Sequence, residues 1–430
     1  MKKASFLGLL VVGVLLLGIA PTVLAGAYDE LLPDAVKGRT FVPSLKLRWE
    51  FDDNIYTTTA AEEANFGVEP EESWKLYVEP KIDIHWLTTA SYFGLTYQYS
   101  FIWYTDRPDD DTDMAHDANV DVRHSFSPSV EVILRDVFRS SEEPEVAEDI
   151  VTAGGIRTVS LQRNGDYLYN RVTAGLNLKT GNRLWWNWSY SNLWVDFDEP
   201  ETVVDVTGVV RRGASYFFDR MAHIGAVKAQ YLATPQSKIN LGVTFTDTDY
   251  DSDALMKDSM SWIGYAGLDQ NLAKSCVGSV VVGWENRDYD DIDVNQDSPF
   301  VDLSLASKFG KRGNGRVGYR FALDETDQAA YAFEELHTLY AGVNAFLANW
   351  TSLHVNTSYE IGSYDSGDVV AARAFGDRDE NVWLLGIVLR QHVTKDIYVE
   401  GGYRRTDVDS DFLGSDYDRN RYFVGVGGIF

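Results

Sequence analysis

The chain has 430 residues, and its 38 Lys and Arg against 65 Asp and Glu give a formal net charge of −27. So acidic a chain lacks the basic surface that phosphate contacts require, which excludes nucleic acid as a partner. The single cysteine, Cys276, excludes a framework of intramolecular disulfides. The length alone would suit two or three soluble domains, an expectation that the first residues already weaken.

The N-terminal residues have the pattern of a secretory signal peptide. Lys2 and Lys3 give a positively charged start, an uncharged apolar run covers residues 6–20, and Val-Leu-Ala precedes the expected cleavage site. We therefore expect residues 1–25 to be a signal peptide that is removed on export. Residues 26–41 are then a short periplasmic N-terminal segment, too short to fold as a plug or as a separate periplasmic domain.

The rest of the chain has the period of β-strands. It contains no apolar stretch of the roughly 18 to 20 residues that a membrane-spanning helix needs. Apolar and polar residues instead alternate, as they do over residues 239–246, and this places each set on one face of a strand. The alternation predicts about eighteen strands, with sixteen as the alternative, over residues 42–58, 73–86, 91–104, 118–126, 130–139, 167–179, 183–197, 217–232, 238–250, 259–271, 275–289, 298–309, 314–324, 335–347, 350–363, 380–393, 396–407 and 419–430.

Two kinds of connection alternate between these strands. One kind is short and carries little charge, as at residues 127–129 and 180–182. The other kind is longer and acidic, and covers residues 105–119, 141–150, 285–297 and 407–418. Transmembrane barrels have this asymmetry, with tight periplasmic turns and larger external loops. The sequence therefore predicts an all-β fold, a transmembrane antiparallel up-and-down β-barrel over residues 42–430 with long acidic external loops.

An aromatic residue followed by Asp recurs toward the long-loop ends of the predicted strands. Aromatic rings with an apolar body and a polar tip favour the membrane–water boundary, where outer-membrane barrels carry aromatic girdles. We expect these aromatic residues to form the external girdle. The pairs are Phe51-Asp52, Phe197-Asp198, Phe218-Asp219, Tyr250-Asp251, Tyr289-Asp290, Tyr364-Asp365 and Tyr417-Asp418.

The last predicted strand resembles the C-terminal signature of bacterial outer-membrane β-barrels. Phe430 ends the sequence, and Tyr422, Val424 and Val426 share its face of the strand. Gly428 departs from the pattern, because a larger apolar residue is usual at that position. The resemblance implies that these four residues are an assembly signal read by the outer-membrane assembly machinery, and that the barrel is surrounded by outer-membrane lipid and lipopolysaccharide.

The first predicted strand carries a narrower resemblance. Residues 47–56 read Leu-Arg-Trp-Glu-Phe-Asp-Asp-Asn-Ile-Tyr. This opening resembles that of the "putative β-barrel porin 2" family of outer-membrane barrels. Some members of that family are associated with exopolysaccharide gene clusters, so the resemblance implies a channel with a link to polysaccharide transport.

Charged residues of both signs occupy the polar face of the predicted strands, which lines the lumen of a barrel of this size. In an open pore they would weigh ions and polar solutes by charge. Alternatively, they pair with one another and brace the wall, and the sequence leaves both roles open. The predicted pore-lining residues are Lys46, Arg48, Glu50, Lys75, Glu79, Lys81, Asp83, Arg316, Arg320, Asp324, Glu360, Glu400 and Arg404.

Metal and catalytic chemistry find little support in the sequence. Alternating Asp residues at 247–253 and 407–411 mimic the start of a calcium loop, but the glycine that such a loop needs at its sixth position is absent from both. The seven histidines are scattered, and His354, Asn356 and Ser358 share a face that points into the lumen. We expect neither a dedicated metal site nor a cofactor nor a catalytic site.

The predicted function is a porin-like channel for passive diffusion of small polar solutes or for polysaccharide-associated transport. Residues 140–166 and 198–216 are long enough to fold inward as a constriction. The alternative is a closed structural or adhesive barrel whose acidic loops bind partners or cations. A more distant alternative is an outer-membrane barrel enzyme, which would use a Ser-His or Asp-His arrangement.

Overall fold

The computed structural model describes residues 39–59, 63, 69–107, 111–142, 166–197, 203–204, 210–211, 219–251, 257–290, 294–310, 312–325, 331–364, 376–411 and 416–430. The predicted signal peptide and nearly all of the segment 26–41 lie outside these residues. The two predicted constrictions, 140–166 and 198–216, also lie largely outside them. Within the described residues, no helix is long and apolar enough to cross a membrane.

The described chain consists mainly of β-strands. Eighteen of the described strands form one sheet, and two short strands pair with each other as a small separate hairpin. The strands are β1 Phe41–Asp52, β2 Ser73–Leu87, β3 Ser91–Tyr104, β4 Thr112–Ser127, β5 Val130–Ser141, β6 Tyr167–Thr180, β7 Leu184–Phe197, β8 Val203–Val204, β9 Val210–Arg211, β10 Arg220–Thr234, β11 Ser237–Tyr250, β12 Ser259–Ala273, β13 Cys276–Tyr289, β14 Val294–Lys308, β15 Gly313–Glu325, β16 Phe333–Ala348, β17 Thr351–Tyr364, β18 Arg378–His392, β19 Ile397–Ser410 and β20 Tyr417–Ile429.

The sheet closes on itself as a barrel. Each strand pairs antiparallel with its neighbours along the chain, and β7 pairs with β10 across the β8–β9 hairpin. β1 pairs with β20 from Ser44 opposite Ile429 to Asp52 opposite Arg421, so the first and last strands form the seam. Closure satisfies the backbone groups that two open edges would expose to lipid. The predicted antiparallel up-and-down barrel is confirmed, with eighteen strands rather than sixteen.

The period-two alternation produces two faces of different chemistry. Leu47, Trp86, Leu241, Val282 and Val424 are exposed on the outer face, where apolar side chains meet lipid in an outer-membrane barrel. Along each strand every second residue points inward, and we say that these residues have the inward parity. They carry most of the charged and hydroxyl side chains of the strands. The apolar residues of this chain therefore cover the outside of a cylinder instead of filling a core.

Two of the predicted acidic loops are shorter than expected. β4 begins at Thr112, so the second half of the predicted loop 105–119 is strand. Only residues 290–293 separate β13 from β14, where the sequence predicted a loop over 285–297. A run of acids marks where a strand leaves lipid, but a strand in water keeps its backbone pairing. The strands therefore continue past the point at which their composition changes.

The predicted girdle of aromatic–Asp pairs is wrong for the members that the structure describes as buried. Phe197, Tyr250, Tyr289, Tyr364 and Tyr417 are at most 9% exposed and have the inward parity. These rings pack on the inner side of the external mouth and do not contact lipid. Other rings form the outer belts, with Trp103, Trp262, Trp284 and Trp383 toward the external ends and Trp86, Phe126 and Trp350 toward the periplasmic ends.

Acids near the strand ends have a backbone role at this mouth. Asp219 accepts a hydrogen bond from the backbone N–H of Phe197 at 2.7 Å, and Asp258 accepts one from the backbone N–H of Tyr250 at 2.7 Å. Carboxylates thus satisfy N–H groups where the ladder between strands stops. The aromatic–Asp pattern marks the end of a strand, with the ring inside the mouth and an acid near the backbone.

Candidate functional site: the lumen wall

The structure places the thirteen predicted pore-lining residues on the inward face. Most of them lie on adjacent strands at the seam, and the rest lie on β15 and β17. We call the inward residues of β18, β19, β20, β1 and β2 the seam wall. It holds Lys46, Arg48, Glu50, Lys75, Glu79, Lys81, Asp83, Glu400 and Arg404, whereas Arg316, Arg320, Asp324 and Glu360 lie outside it.

A chain of ion pairs crosses the seam wall at mid-height. Lys46 Nζ lies 2.8 Å from Glu79 Oε2 and 3.9 Å from Glu400 Oε1. Arg390, a residue that the sequence prediction omitted, donates to Glu400 at 2.8 and 3.1 Å. Lys46 and Glu400 belong to strands separated by β20, where Gly427 and Gly425 stand opposite them. With no side chains on those two glycines, the charged groups reach one another across the intervening strand.

A buried cluster lies one step closer to the external mouth. The guanidinium of Arg48 lies over the Tyr77 ring, 3.9 Å from its centroid, and 3.6 Å from Glu50 Oε2. The Tyr77 hydroxyl donates to Glu50 Oε1 at 3.2 Å. Arg48 is 3% exposed and Glu50 is fully buried. Both side chains are therefore packed into the wall and barely accessible from the lumen.

At the mouth itself, three buried charges join the first and last strands. Arg419 of β20 donates to both carboxylate oxygens of Asp52, with Nε 3.0 Å from Oδ1, and Lys75 Nζ lies 2.8 Å from Oδ2. We call Asp52, Lys75 and Arg419 the clasp. The sequence prediction included Lys75 but missed Asp52 and Arg419. Asp52 follows Arg48 and Glu50 at intervals of two residues, so the alternation that predicts those two residues to be inward also predicts Asp52 to be inward.

Residues 53–59 turn inward directly after the clasp. The side-chain N–H groups of Asn54 donate to the backbone oxygens of Thr58 and Asp418 at 3.0 and 3.1 Å, while Asn54 Oδ1 accepts the Thr58 backbone N–H at 2.7 Å. Ile55 is 6% exposed and packs with the inward residues Tyr77, Ile102 and Tyr104. This turn, within the motif that carries the family resemblance, thus lies on the inner side of the mouth.

Thr57 has an unusual backbone conformation in this turn. Its φ is +53°, in the left-handed region that β-branched residues disfavour. Its backbone N–H donates to the Asn54 carbonyl at 3.3 Å, and the Asn54 bonds on either side hold the conformation in place. Backbone strain of this kind persists where the surroundings over-determine it. The inward turn is therefore held in one shape by its neighbours.

A second group of charges lies on β14 and β15. Arg320 stands opposite the buried Asp302 in the strand register, and its guanidinium lies 5.6 Å from the Phe300 ring centroid. Arg316 lies 5.3 Å from the Tyr340 ring centroid and 3.5 Å from Ser304 Oγ. These two arginines are half-buried, unlike Arg48 of the seam wall. Their guanidinium groups therefore remain in contact with the lumen.

Asp324 and Glu360 also face inward. In the strand register Asp324 stands opposite Glu334, and Glu360 stands between Thr338 and Val382. Both residues are half-buried. The structure therefore does not bring these two acids into the network of the seam wall.

The aromatic rings on the inner face lie over glycines, an arrangement that the sequence prediction missed. Phe423 stands opposite Gly402, Tyr398 opposite Gly427, and a Cβ atom on either glycine would overlap the ring. Tyr340 covers Gly318 of β15 in the same way. A glycine facing a ring lets the ring lie flat against the wall, so that a large side chain takes little of the lumen.

The histidine face singled out by sequence does not assemble a nucleophile. His354 Nδ1 lies 2.7 Å from Asn344 Oδ1, and its Nε2 lies 3.2 Å from Ser352 Oγ. Both ring nitrogens thus face polar wall residues of neighbouring positions and not Ser358. Over the residues that the structure describes, no group of three or more His, Cys, Asp or Glu side chains could hold a metal ion.

The predicted assembly-signal residues share the outer face of β20. Tyr422, Val424, Val426 and Phe430 are all exposed there, with Phe430 the most exposed at 70%. At Gly428 a Cβ atom would lie 3.2 Å from the Phe430 ring. The departure from the usual pattern at residue 428 therefore leaves space for the Phe430 ring.

One family model and several solved outer-membrane proteins are similar to this chain. The model of the family described as "Putative beta-barrel porin 2" matches residues 38–428. The solved structure of the outer membrane protein opdK from Pseudomonas aeruginosa is similar at 11% identity and a TM-score of 0.47, covering 91% of this chain and 99% of that one. OpdQ from Pseudomonas aeruginosa is similar at 14% identity and a TM-score of 0.46, covering 91% and 97%. No curated protein sequence matches the chain.

Proposed function

Because the chain belongs to the family described as "Putative beta-barrel porin 2", we propose that it is a channel through which small polar solutes diffuse across the bacterial outer membrane. The observation that carries this proposal is the closed barrel of eighteen described strands with a polar inner face. A barrel of that size encloses more space than its inward side chains fill, so water occupies the remainder. The protein supplies a path and makes or breaks no bond.

The geometry of the lumen supports selection by size and by charge. The turn at residues 53–59 limits the cross-section at the external mouth, and its packing on Tyr77 and Tyr104 keeps the limit fixed. Below it, the half-buried Arg316 and Arg320 remain available to solutes. Passage is then set by the narrowest section and by the charges that a solute meets there.

At the external mouth, small solutes are favoured over polysaccharide by the burial of four inward tyrosine rings. Rings that conduct a sugar chain need an open face on which the sugar can stack. Tyr77, Tyr104, Tyr289 and Tyr364 are each 2% exposed and are covered by their neighbours. These four rings therefore support the wall and are not a stacking path for an oligosaccharide.

Swelling of liposomes tests the proposal. Vesicles containing the purified protein are expected to swell in a monosaccharide solution and progressively more slowly in di- and tetrasaccharide solutions, because the mouth limits solute size. Empty vesicles and vesicles prepared with heat-unfolded protein are the controls. Vesicles that stay unswollen in every solute would support the closed structural or adhesive barrel instead.

We propose further that the outer face of β20 is read by the outer-membrane assembly machinery. The residues concerned, Tyr422, Val424, Val426 and Phe430, are exposed side by side on the last strand, as a docking strand requires. Phe430→Ala is expected to lower the amount of folded barrel in cells severalfold, measured by heat-modifiable gel mobility. The purified variant is expected to refold in detergent as well as the wild type. Equal loss in cells and in detergent would contradict a role in recognition.

A further inference from the structure

The charged residues of the barrel strands are sorted by face. Among the eighteen described strands of the barrel, every Lys and Arg has the inward parity except Arg405 of β19, which is ion-paired with Asp407 on the same outer face. Acids occupy the outer face near the external ends, as Asp247, Asp288 and Asp409 do. Acids such as Glu79 and Glu400 also point inward, but the cations of the barrel strands are concentrated on the inner face, so the net charge of −27 does not describe the surface that a solute meets there.

Within the seam wall the charges are sorted again, by depth. In the pair Lys46–Glu79 the side chains are 26% and 7% exposed, and in the pair Arg390–Glu400 they are 36% and 4% exposed. The pair Lys81–Asp83 has the same order. The carboxylates are short and lie against the strands, whereas the longer cationic side chains extend over them. At these three pairs the surface of the seam wall is a layer of cations above buried acids, whereas at the clasp cations and acids are buried alike.

Three arginines are held in this layer by aromatic rings. Arg390 lies 4.3 Å from the Tyr398 ring centroid, and Arg404 lies 5.6 Å from that of Phe423. Arg316 of β15, outside the seam wall, lies 5.3 Å from the Tyr340 ring centroid. Each ring lies over a glycine, so the guanidinium rests close to the wall and is attracted by the ring face. The stack fixes each cation in place without closing the lumen.

The cationic layer does not extend around the whole barrel. On β4 and β5, Asp117 is about as exposed as its partner Arg139. Asp121, whose side chain is 28% exposed, pairs with Arg123 at 17% and with Arg135 at 51%. On these two strands the acids are therefore accessible together with the cations, unlike the buried acids of the three seam-wall pairs.

We propose that the lumen selects for anions, and that Lys46, Arg390 and Arg404 of the seam wall, with Arg316 and Arg320, are the residues that select. The solutes would be small inorganic or organic anions carrying a carboxylate or phosphate group, for which guanidinium offers paired N–H donors. This inference rests on the proposed channel function. It adds that an acidic protein presents a positive path to the molecules that pass through it.

Reversal potentials in planar bilayers test the proposal. In a KCl gradient the wild-type channel is expected to give a chloride-to-potassium permeability ratio above one. In the double variant Lys46→Gln with Arg390→Gln, Glu79 and Glu400 lose the cations that cover them, and the ratio is expected to fall severalfold, to below one. Arg316→Ala with Arg320→Ala is expected to lower the ratio without disturbing the seam wall. Inorganic phosphate in place of chloride tests the wider anion class.

Arg405→Gln is the matched control, because it removes a cation from the neighbouring outer face and is expected to leave the ratio unchanged. Heat-modifiable gel mobility confirms that each variant has folded. Wild-type openings with a ratio of one or below would overturn the anion selection and leave the channel function standing. A wild type without any openings would contradict the channel function itself, so the two failures are distinguishable.

Discussion

Arg419→Ala is expected to destabilise the folded barrel by about 3–5 kcal/mol, the typical cost of breaking a buried ion pair. Arg419 donates to both carboxylate oxygens of Asp52, and Lys75 is the second cation of the clasp. All three side chains are at most 4% exposed. Loss of the arginine leaves a buried carboxylate with one cation at the seam between β1 and β20. The free energy of unfolding from urea titrations in lipid vesicles measures the effect.

Arg405→Ala provides the matched comparison. Arg405 lies on the neighbouring strand β19 and is also paired with an aspartate, Asp407, but both side chains are about a third exposed. Exposed ion pairs contribute about 0–1 kcal/mol, so this variant is expected to unfold almost as the wild type does. Losses of equal size in the two variants would show that the clasp does not hold the seam.

Gly427→Val is expected to reduce single-channel conductance and to destabilise the barrel by about 1–3 kcal/mol, as overpacking does. The added Cβ would overlap the Tyr398 ring, which now lies flat over the glycine. The ring would turn into the lumen and carry Arg390 with it, since the guanidinium rests on that ring. Conductance in planar bilayers and the urea midpoint are the two measurements.

Gly401→Val tests whether the position of the glycine matters. Gly401 lies on the outer face of β19, and a Cβ there would be 3.5 Å from the Phe423 carbonyl and 3.9 Å from Val424 Cγ1, ordinary contact distances. We expect its conductance to equal that of the wild type, because the new side chain points to lipid. A fall in conductance as large as that of Gly427→Val would contradict the account of flat rings over glycine.

The fold could be predicted from the sequence because one physical rule governs every strand. A strand between lipid and water must alternate, so residues such as Leu241 and Asn240 report their face directly. The same rule predicted Lys46, Arg48 and Glu400 as inward residues, and their part in a pore stays a prediction. Strand ends were harder to predict. The acids within residues 112–119 mark where the chain leaves lipid, but these residues still pair as part of β4.

The contacts of the site could not be read from the sequence. Parity gives the face of a residue but not its partner, and Arg419 lies 367 positions after Asp52. Only the register of the seam brings the two together. The pairing of Lys46 with Glu400 depends in addition on Gly425 and Gly427, which have no side chain to mark a role.

The aromatic–Asp pairs show how a correct pattern can receive the wrong interpretation. The rings were assigned to the lipid boundary because they lie at strand ends, which is true of Tyr250 and Tyr289. Their parity, however, is that of Arg220 and Arg287, so they point into the barrel. Position along a strand and face of a strand are separate pieces of information, and both are needed to place a residue.

The central claim, that this barrel is an open channel, is tested most directly by current recording from the purified protein in planar bilayers. We expect conductance to increase in steps as single molecules insert, and each step to be followed by a steady current through the polar lumen. Membranes that stay silent over many insertions of protein shown by gel mobility to be folded would contradict it.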